Sequence, residues 1–252
     1  MNLQNARILL TGGSSGIGKA TAKLLVNKGS KVLITGRDEE KLKRVANELS
    51  CEFIAADSGN EKDIEKVFEK VDKVFGGLDV LINNAGIGKF HPIEDLTFNA
   101  FEEIFKVNVY GAAITAKHAV ERFKKQQKGN IINIASSAAL KGFANGSVYS
   151  ASKFALRSMT QCWQGELRKH NIRVMLINPS EVTTAFASEA REERKEVENK
   201  LTGVEIGHAI VGALEMDDRG FVTELSVWAT NPFWKIFYIA KKIHNYEENF
   251  TL

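Results

Sequence analysis

Cysteine is scarce in this sequence, which has two in 252 residues, Cys51 and Cys162. They lie far apart and show no C-x-x-C spacing, so they encode neither a disulfide framework nor a zinc site of the cysteine type. The five histidines form no metal-like cluster along the chain. The sequence therefore predicts a protein without a metal centre, and a reducing cytoplasm is its expected location.

Long apolar runs and a strong excess of charge are also missing. No run approaches the roughly 20 residues that a membrane-spanning helix needs, and MNLQNARILL at the N-terminus lacks the pattern of an export signal. Lysine and arginine total 34 against 31 acidic residues, which gives a formal net charge of +3 without a basic block. We therefore expect neither an integral membrane protein nor a nucleic-acid binder, and the composition favours a small, mostly uncharged ligand.

Only three prolines occur, and no low-complexity linker or internal repeat divides the chain. With 44% hydrophobic residues, the chain has enough material for the core of one large domain. We therefore predict a single domain over residues 1–252.

Short apolar runs recur along the chain, and they are continuous rather than alternating in polarity. This is typical of strands that are covered on both faces, as in a parallel sheet. Between them lie stretches with helical spacing, such as residues 18–29, ending at Gly29, and residues 38–49, where Asp38 can serve as N-cap. The alternation predicts an α/β fold with a Rossmann-type, doubly wound parallel sheet. The runs are RILL (7–10), KVLI (31–34), DVLI (79–82), NIINIA (130–135), IRVMLI (172–177) and FVTELSV (221–227).

A glycine-rich stretch, TGGSSGIGKA, follows the first apolar run and opens a predicted helix. Gly12, Gly16 and Gly18 would let the backbone turn tightly, approach a pyrophosphate and pack the helix against the strand. The helix N-terminus would offer its N–H groups and the positive end of its dipole to the anion. Because the loop stands between a predicted strand and a predicted helix, it indicates a dinucleotide site rather than a plain tight turn.

The stretch SVYSASKFAL places Tyr149 four residues before Lys153. Side chains at this spacing share one face of a helix, and taken alone such a pair is an ordinary surface contact. Carbonyl reduction, however, builds negative charge on the substrate oxygen, so its site needs a proton donor and a hydrogen bond aimed at that oxygen. Tyr149 can give the proton, and we expect the charge of Lys153 to lower the phenol pKa from about 10.

These stretches and several other motifs together resemble the short-chain dehydrogenase/reductase family. The order and spacing match over about residues 6–184, and the combination is highly specific although each piece alone is weak. The motifs are T-G-x-x-x-G-x-G, NNAG (83–86), Asn108 in VNVYG, Ser136 in NIASS, the Tyr149 and Lys153 pair, and NPSEVTT (178–184).

The resemblance implies a catalytic set of Asn108, Ser136, Tyr149 and Lys153. Ser136 would hold the substrate oxygen, and Asn108 would hold a water that contacts the lysine. In both cases a structural role stays open, because a serine can cap a turn and an amide can be satisfied by local partners. The cofactor contacts that the resemblance and the glycine loop imply are Gly12, Ser14, Ser15, Gly16, Ile17, Gly18, Arg37, Asp57, Asn84, Ala85, Gly86, Tyr149, Lys153, Pro179, Val182 and Thr184.

Two of these contacts bear on the adenosine side of the cofactor. By the resemblance, Asp57 would touch the adenine, although it could instead cap a turn. Enzymes of this fold that take NAD usually have a carboxylate at the end of the second strand, whereas this chain has Gly36 and then Arg37. Glycine leaves room and a guanidinium can grip a 2′-phosphate, so we predict NADP over NAD. Asp38 is the competing ribose partner, and we interpret it as a helix cap.

The resemblance is weaker after the run IRVMLI (172–177). Many relatives have glycine where this chain has Ser180, so the nicotinamide contacts of Val182 and Thr184 depend on a turn that serine could alter. The charged segment of about 185–203 is predicted to be a solvated helix or a cover for the substrate. The aromatic and basic tail of about 231–252 could pack on its own subunit, cover a partner's site or lie on a membrane surface. By the family resemblance we expect a homodimer or homotetramer.

The sequence as a whole predicts an oxidoreductase that interconverts a carbonyl and an alcohol by hydride transfer, with NADP and less readily NAD. Its substrate stays open between small ketones, sterols or sugars and 3-oxoacyl thioesters. The alternative is a non-catalytic regulator that senses a dinucleotide on the same fold, since a fold does not fix a function. The complete set of four catalytic residues argues against that alternative.

Overall fold

The computed structural model of the protein describes residues 1–184, 186 and 195–232. In this part of the chain, seven strands form one parallel sheet in the order β3-β2-β1-β4-β5-β6-β7. The strands are β1 (Arg7–Leu10), β2 (Lys31–Gly36), β3 (Glu52–Ala55), β4 (Val80–Asn83), β5 (Gly129–Ile134), β6 (Ile172–Pro179) and β7 (Glu224–Val227). The α-helices are α1 (Gly16–Asn27), α2 (Glu39–Leu49), α3 (Glu61–Phe75), α4 (Phe98–Phe105), α5 (Ala112–Gln126), α6 (Ser147–Leu167) and α7 (Gly203–Glu215).

The single-domain, doubly wound parallel sheet predicted from the sequence is therefore confirmed. The last strand is shorter than its apolar run, because only Glu224–Val227 pairs with β6. Strand β3 has no run of its own in the prediction, since its residues are half-buried or exposed at the sheet edge. Of the two variable segments predicted after β6, residues 185, 187–194 and 233–252 lie outside the described part.

The sheet carries a hydrophobic core on each face. Ile8 and Leu10 of β1 pack on the side of α1, α2 and α7, whereas Leu9 packs on the side of α3 and α5, with Phe68 and Phe123. All five side chains are at most 2% exposed. Burial of one such side chain contributes about 1.5–3 kcal/mol, so both helical layers are held firmly against the strands. This two-sided burial is why the strands are apolar without alternation.

Helix starts set the shape of the loops above the sheet. Asp38 caps α2, because its carboxylate accepts a hydrogen bond of 2.9 Å from the Lys41 N–H, and this confirms the predicted cap. Ser15 precedes α1 in extended conformation, and its side chain makes no capping hydrogen bond. Among the described residues, no helix combines the length and apolar character needed to cross a bilayer.

Candidate active site

A cavity of about 440 Å³ opens at the carboxyl ends of the central strands. It lies where the strand order reverses between β1 and β4, which is the usual place for a ligand in an open α/β sheet. Every residue predicted to contact the cofactor lines this cavity. Of the predicted catalytic set, Ser136, Tyr149 and Lys153 line it, while Asn108 lies behind its wall.

The glycine loop after β1 is tied to the end of β4. The Asn84 amide nitrogen donates to the carbonyl oxygens of Thr11 and Gly12, both at 2.9 Å. In return, the Thr11 hydroxyl accepts from the N–H groups of Asn84 and Ala85, at 3.1 and 3.0 Å. A Cβ on Gly18 would lie 2.1 Å from the Gly12 carbonyl oxygen, so only glycine fits there. Asn84 thus uses its amide hydrogens to hold the loop rather than a ligand.

The start of α1 offers an anion site at the cavity wall. Gly16 has a φ of +50°, a left-handed conformation that favours glycine. A Cβ on Gly16 would lie 3.0 Å from the Thr184 Cγ2, so these two residues pack against each other at the cavity wall. Because Ser15 does not cap the helix, its first-turn N–H groups and its dipole are available to negative charge.

Two cations stand at the end of β2. Arg37 and Lys41 both line the cavity, and Gly36 beside them brings no side chain. The Ser14 hydroxyl lies 3.4 Å from the position of a Cβ on Gly36. Sequence reasoning identified Arg37 but missed Lys41, although a lysine in the first turn after this strand is a detectable signal.

Asp57 lies on the cavity wall and also shapes a turn. Its carboxylate accepts a hydrogen bond of 2.9 Å from the Gly59 N–H, which is the turn-capping role left open by the sequence. Its own N–H donates to the Asp63 carboxylate at 3.1 Å. The turn that follows β3 is therefore fixed in place beside the cavity.

The predicted proton donor and lysine lie on the buried face of α6. Tyr149 is 8% exposed and Lys153 is 4% exposed. The Lys153 ammonium donates to the Ile134 carbonyl at 2.9 Å, and the Tyr149 hydroxyl is hydrogen-bonded with Ser136. The Ser136 hydroxyl also accepts from the Ala138 N–H at 3.1 Å. Helix α6 and the end of β5 thus bring phenol, hydroxyl and ammonium together.

Burial dominates the ionisation of this pair. It raises the pKa of Tyr149 to about 12, and the hydrogen bond with Ser136 offsets the shift only in part. Burial also lowers the pKa of Lys153 to about 8. The sequence-based expectation of a phenol pKa lowered by Lys153 is therefore wrong for the chain alone, because burial raises this pKa and the opposing contribution comes from Ser136 rather than from Lys153. Tyr149 is a protonated donor near neutral pH.

Asn108 sits in a turn of π-helix, Lys106–Gly111, between α4 and α5. Its side-chain oxygen accepts from the Ile87 N–H at 2.9 Å, and its nitrogen donates to the Ile87 carbonyl and the Ser152 hydroxyl at 2.9 and 3.0 Å. A Cβ on Gly86 would lie 3.3 Å from the Asn108 oxygen and 3.5 Å from the Lys153 ammonium. Asn108 therefore holds the loop after β4 against α6, one layer behind the cavity.

The segment after β6 is fixed from two sides. The Ser180 N–H donates to the Val227 carbonyl at 2.9 Å, and the Thr183 N–H donates to the Leu201 carbonyl at 2.7 Å. Ser180 does not have a positive φ, so serine brings no backbone strain to this turn. Val182 and Thr184 both reach the cavity wall, as the resemblance implied.

Three phenylalanines cluster at Tyr149, two against its ring and one behind them, and sequence reasoning missed all of them. The rings of Phe90 and Phe186 lie 5.7 and 5.6 Å from the Tyr149 ring, centre to centre. Phe143 lies 5.6 Å from Phe90. They come from the loops after β4, β5 and β6, and their position just past three adjacent strand ends is the signal that could have found them.

Comparison with known proteins agrees with this geometry. A family model described as short chain dehydrogenase matches residues 6–195. An uncharacterized oxidoreductase of Staphylococcus aureus (strain USA300) is 34% identical over 223 residues, which cover 87% of this chain and 95% of that protein.

Two solved structures are similar over nearly their whole length. An alcohol dehydrogenase from the archaeon Thermococcus sibiricus, complexed with 5-hydroxy-NADP, has a TM-score of 0.82 at 27% identity, over 88% of this chain and 96% of that one. A 3-ketoacyl-(acyl-carrier-protein) reductase from Brucella melitensis, complexed with NADH, has a TM-score of 0.83 at 28% identity, over 91% and 99%.

Proposed function

The chain belongs to the short-chain dehydrogenase family and is an oxidoreductase, and from this premise we propose that it interconverts a carbonyl and an alcohol with a nicotinamide dinucleotide bound in the cavity. One observation carries the proposal. Ser136, Tyr149 and Lys153 meet at the wall of the same cavity that the glycine loop lines. A proton donor and a dinucleotide cradle thus share one space.

The residues of the cavity fit a dinucleotide. Gly12 and Gly18 bring backbone close together at a point where a side chain would collide. The uncapped start of α1 suits a pyrophosphate, since its N–H groups and dipole favour an anion. When bound there, the dinucleotide would supply or accept the hydride. Asp57, Ala85 and Gly86 would flank its adenosine side, and Val182 and Thr184 its nicotinamide side.

The chain's own residues would handle the proton. In the reducing direction the carbonyl carbon gains a hydride and its oxygen gains the Tyr149 proton, which yields an alcohol. Ser136 would hold the substrate oxygen by a hydrogen bond. Burial keeps Tyr149 protonated at neutral pH, which supports its use as the acid. Lys153, anchored to Ile134, would stabilise the phenolate left behind.

NADP is the cofactor that the end of β2 favours. Arg37 and Lys41 would face a 2′-phosphate together, and Gly36 leaves space for it. Asp38, the carboxylate that could bind ribose hydroxyls, also lines the cavity, and one of its oxygens caps α2 by accepting from the Lys41 N–H. Solved relatives carry either form, since one is complexed with 5-hydroxy-NADP and another with NADH.

A homo-oligomer in the cytoplasm completes the proposal. Ile93, Phe98 and Tyr110 are 79%, 93% and 59% exposed, which is unusual for large apolar side chains and supports an interface around α4. Cys51 and Cys162 are both free thiols, which supports a reducing compartment. Sedimentation of the purified protein, and its cellular fractionation, test the two parts.

A cofactor-consumption assay tests the central proposal. The purified chain is given NADPH or NADH with a panel of ketones and 3-oxobutanoyl thioesters, and the corresponding alcohols are tested with the oxidised cofactors. We expect turnover of at least one carbonyl class, with loss of absorbance at 340 nm. Tight dinucleotide binding without turnover of any pair would instead favour the regulatory alternative.

A further inference from the structure

The three phenylalanines around Tyr149 form an aromatic wall, defined as Phe90, Phe143 and Phe186. Phe90 meets the Tyr149 ring nearly edge to face, at an interplanar angle of 83°, and Phe143 meets Phe90 at 62°. Phe186 is tilted by 58° against Tyr149 from another side. All centre-to-centre distances fall in the range of favourable aromatic pairs, about 4.5–7 Å. The wall is thus an ordered set of rings.

The backbone makes room for this wall. A Cβ on Gly88 would lie 2.6 Å from a carbon of the Phe186 ring, and a Cβ on Gly146 would lie 2.5 Å from the Phe143 ring. The loops after β4 and β5 are joined by a hydrogen bond of 2.9 Å from the His91 N–H to the Asn145 carbonyl. Phe186 and Phe143 therefore pack against glycines, and the loops after β4 and β5 are held to each other by a hydrogen bond.

Support of Tyr149 does not account for the whole wall. Tyr149 is 8% exposed, but Phe90 is 43% exposed and Phe143 is 48% exposed. Phe143 packs on Phe90 rather than on the Tyr149 ring, so cover of the tyrosine does not explain it. Phe186 lines the cavity, whereas Phe90 and Phe143 lie outside its lining. Phe90 contacts the Tyr149 ring and Phe143 contacts Phe90, so the two half-free rings form an apolar face beside the proton donor that a ligand can cover.

The charge around the wall points the same way. Within the described residues, the cavity-lining cations and anions other than Lys153 belong to the ends of β2 and β3. Lys89, next to Phe90, is paired with Glu103, so its charge is compensated. Pro179 and Val182 add further apolar surface beside the tyrosine. A charged or sugar-like substrate would find few partners here.

We propose that the substrate carries an aromatic ring one or two bonds from its reacting carbonyl. This rests on the proposed function and narrows its substrate class. A carbonyl oxygen that accepts the Tyr149 proton lies at the edge of that phenol, so a ring attached nearby falls within stacking reach of Phe90 and Phe186. The face of Phe143 extends the contact toward the surface.

Two ketones of equal carbonyl reactivity test the inference. Phenylacetone and cyclohexylacetone share the carbon skeleton and differ in whether the ring is aromatic, and 2-butanone lacks the ring. We expect kcat/KM with NADPH to be at least about tenfold higher for phenylacetone than for cyclohexylacetone, because aromatic pairs add about 0.5–1.5 kcal/mol each beyond area burial. Equal efficiency for both rings, or better use of 2-butanone or 3-oxobutanoyl thioesters, would overturn the proposal.

Variants assign the effect to the wall. Phe90→Leu and Phe143→Leu keep apolar volume and remove the ring, so the phenylacetone preference should fall at least about threefold, mainly through KM. Phe98→Leu is the matched control, since Phe98 is 93% exposed on α4 and does not line the cavity, and leucine keeps an apolar side chain for the subunit interface proposed there; this variant should keep the preference. An unchanged preference in both wall variants would refute the assignment.

A binding measurement separates this inference from the proposed function. Saturation-transfer NMR reports contact between phenylacetone and the protein whether or not turnover occurs. If no carbonyl is reduced but phenylacetone binds and Phe143→Leu weakens it, the aromatic site stands and the reaction assignment fails. If ketones are reduced but the ring gains nothing in binding or rate, the reaction stands and the aromatic site fails.

Discussion

The Lys153 ammonium lies 5.8 Å from the centre of the Tyr149 ring, and its hydrogen bond goes to the Ile134 carbonyl rather than to the tyrosine. The two groups are one helical turn apart on α6 and are both buried. Their roles are therefore separable by substitution. Removal of the phenol hydroxyl should affect proton transfer, whereas removal of the ammonium should also change the electrostatics of the site.

Tyr149→Phe keeps the ring and its contacts with Phe90 and Phe186. We expect the dinucleotide Kd and the free energy of unfolding to stay nearly constant while kcat falls at least about a hundredfold, since general acid catalysis contributes 10²–10⁴. Tyr110→Phe, at a tyrosine 59% exposed, is the control and should keep full activity. Turnover of Tyr149→Phe within a few-fold of the unmodified chain would mean that another group gives the proton.

The depressed pKa of Lys153 predicts a pH-dependent stability. Burial lowers this pKa from 10.5 to about 8, so the unfolded chain binds more protons between these values. The corresponding stability is present above about pH 10.5 and is lost as pH falls through about 8. Urea unfolding gives the free energy of unfolding of the unmodified chain and of Lys153→Met. The unmodified chain should gain about 2 kcal/mol relative to the variant as the pH rises from 7 to 9.5.

This comparison isolates the lysine. The pKa of Tyr149 is raised to about 12, so its contribution to the free energy of unfolding falls only as pH rises above about 10. This tyrosine is present in both proteins. Lys153→Met also removes the hydrogen bond to the Ile134 carbonyl. This loss is the same at every pH at which the amine donates, so it lowers the free energy of unfolding by a constant amount and does not change its dependence on pH. A difference between the two proteins that is constant with pH would show that the ammonium is solvated.

Arg37→Ala and Lys41→Ala should each weaken NADPH binding about tenfold or more and leave NADH binding nearly unchanged. The reason is the lost charge-assisted contact with a 2′-phosphate that NADH lacks. Lys43→Ala, on the same helix but away from the cavity, is the control. Titration of both cofactors checks the result, and equal affinity of the unmodified chain for NADPH and NADH would contradict the cofactor proposal.

Gly18→Ala and Gly212→Ala should have opposite effects. A Cβ on Gly18 would lie 2.1 Å from the Gly12 carbonyl, so the glycine loop must shift, and we expect destabilisation of about 1–3 kcal/mol with weaker dinucleotide binding. Gly212 lies in α7 with nothing within 4 Å of such a Cβ, and alanine there should stabilise by about 0.5–1 kcal/mol. Urea unfolding and cofactor titration distinguish the two.

The parts of the site that sequence could predict are those whose role is local. The glycine loop, the Asp38 cap and the strand ends depend on residues close in the chain, and their patterns carry the necessary chemistry. The parallel, doubly wound sheet follows from continuous apolar runs separated by helices, whereas the order of its strands comes from the structure alone. The motif NPSEVTT (178–184) predicted cofactor contacts at Val182 and Thr184. Both residues line the cavity, although Ser180 departs from the family pattern.

The remaining features depend on three-dimensional packing. The direction of the Tyr149 pKa shift is set by how deeply α6 buries the phenol, which no spacing encodes. The aromatic wall joins loops after three different strands, so its members have no common sequence pattern. The Asn84 amide serves the glycine loop because β4 lies beside β1, a pairing that only the assembled sheet creates.

The tie between Thr11 and Asn84 also orders events in time. It joins positions 73 residues apart, so it cannot form until the chain has been synthesised through Asn84. As the chain leaves the ribosome, the glycine motif emerges well before the amide that will hold the Gly12 carbonyl. We therefore expect a nascent chain that ends before β4 to carry the dinucleotide motif without the ability to bind a dinucleotide.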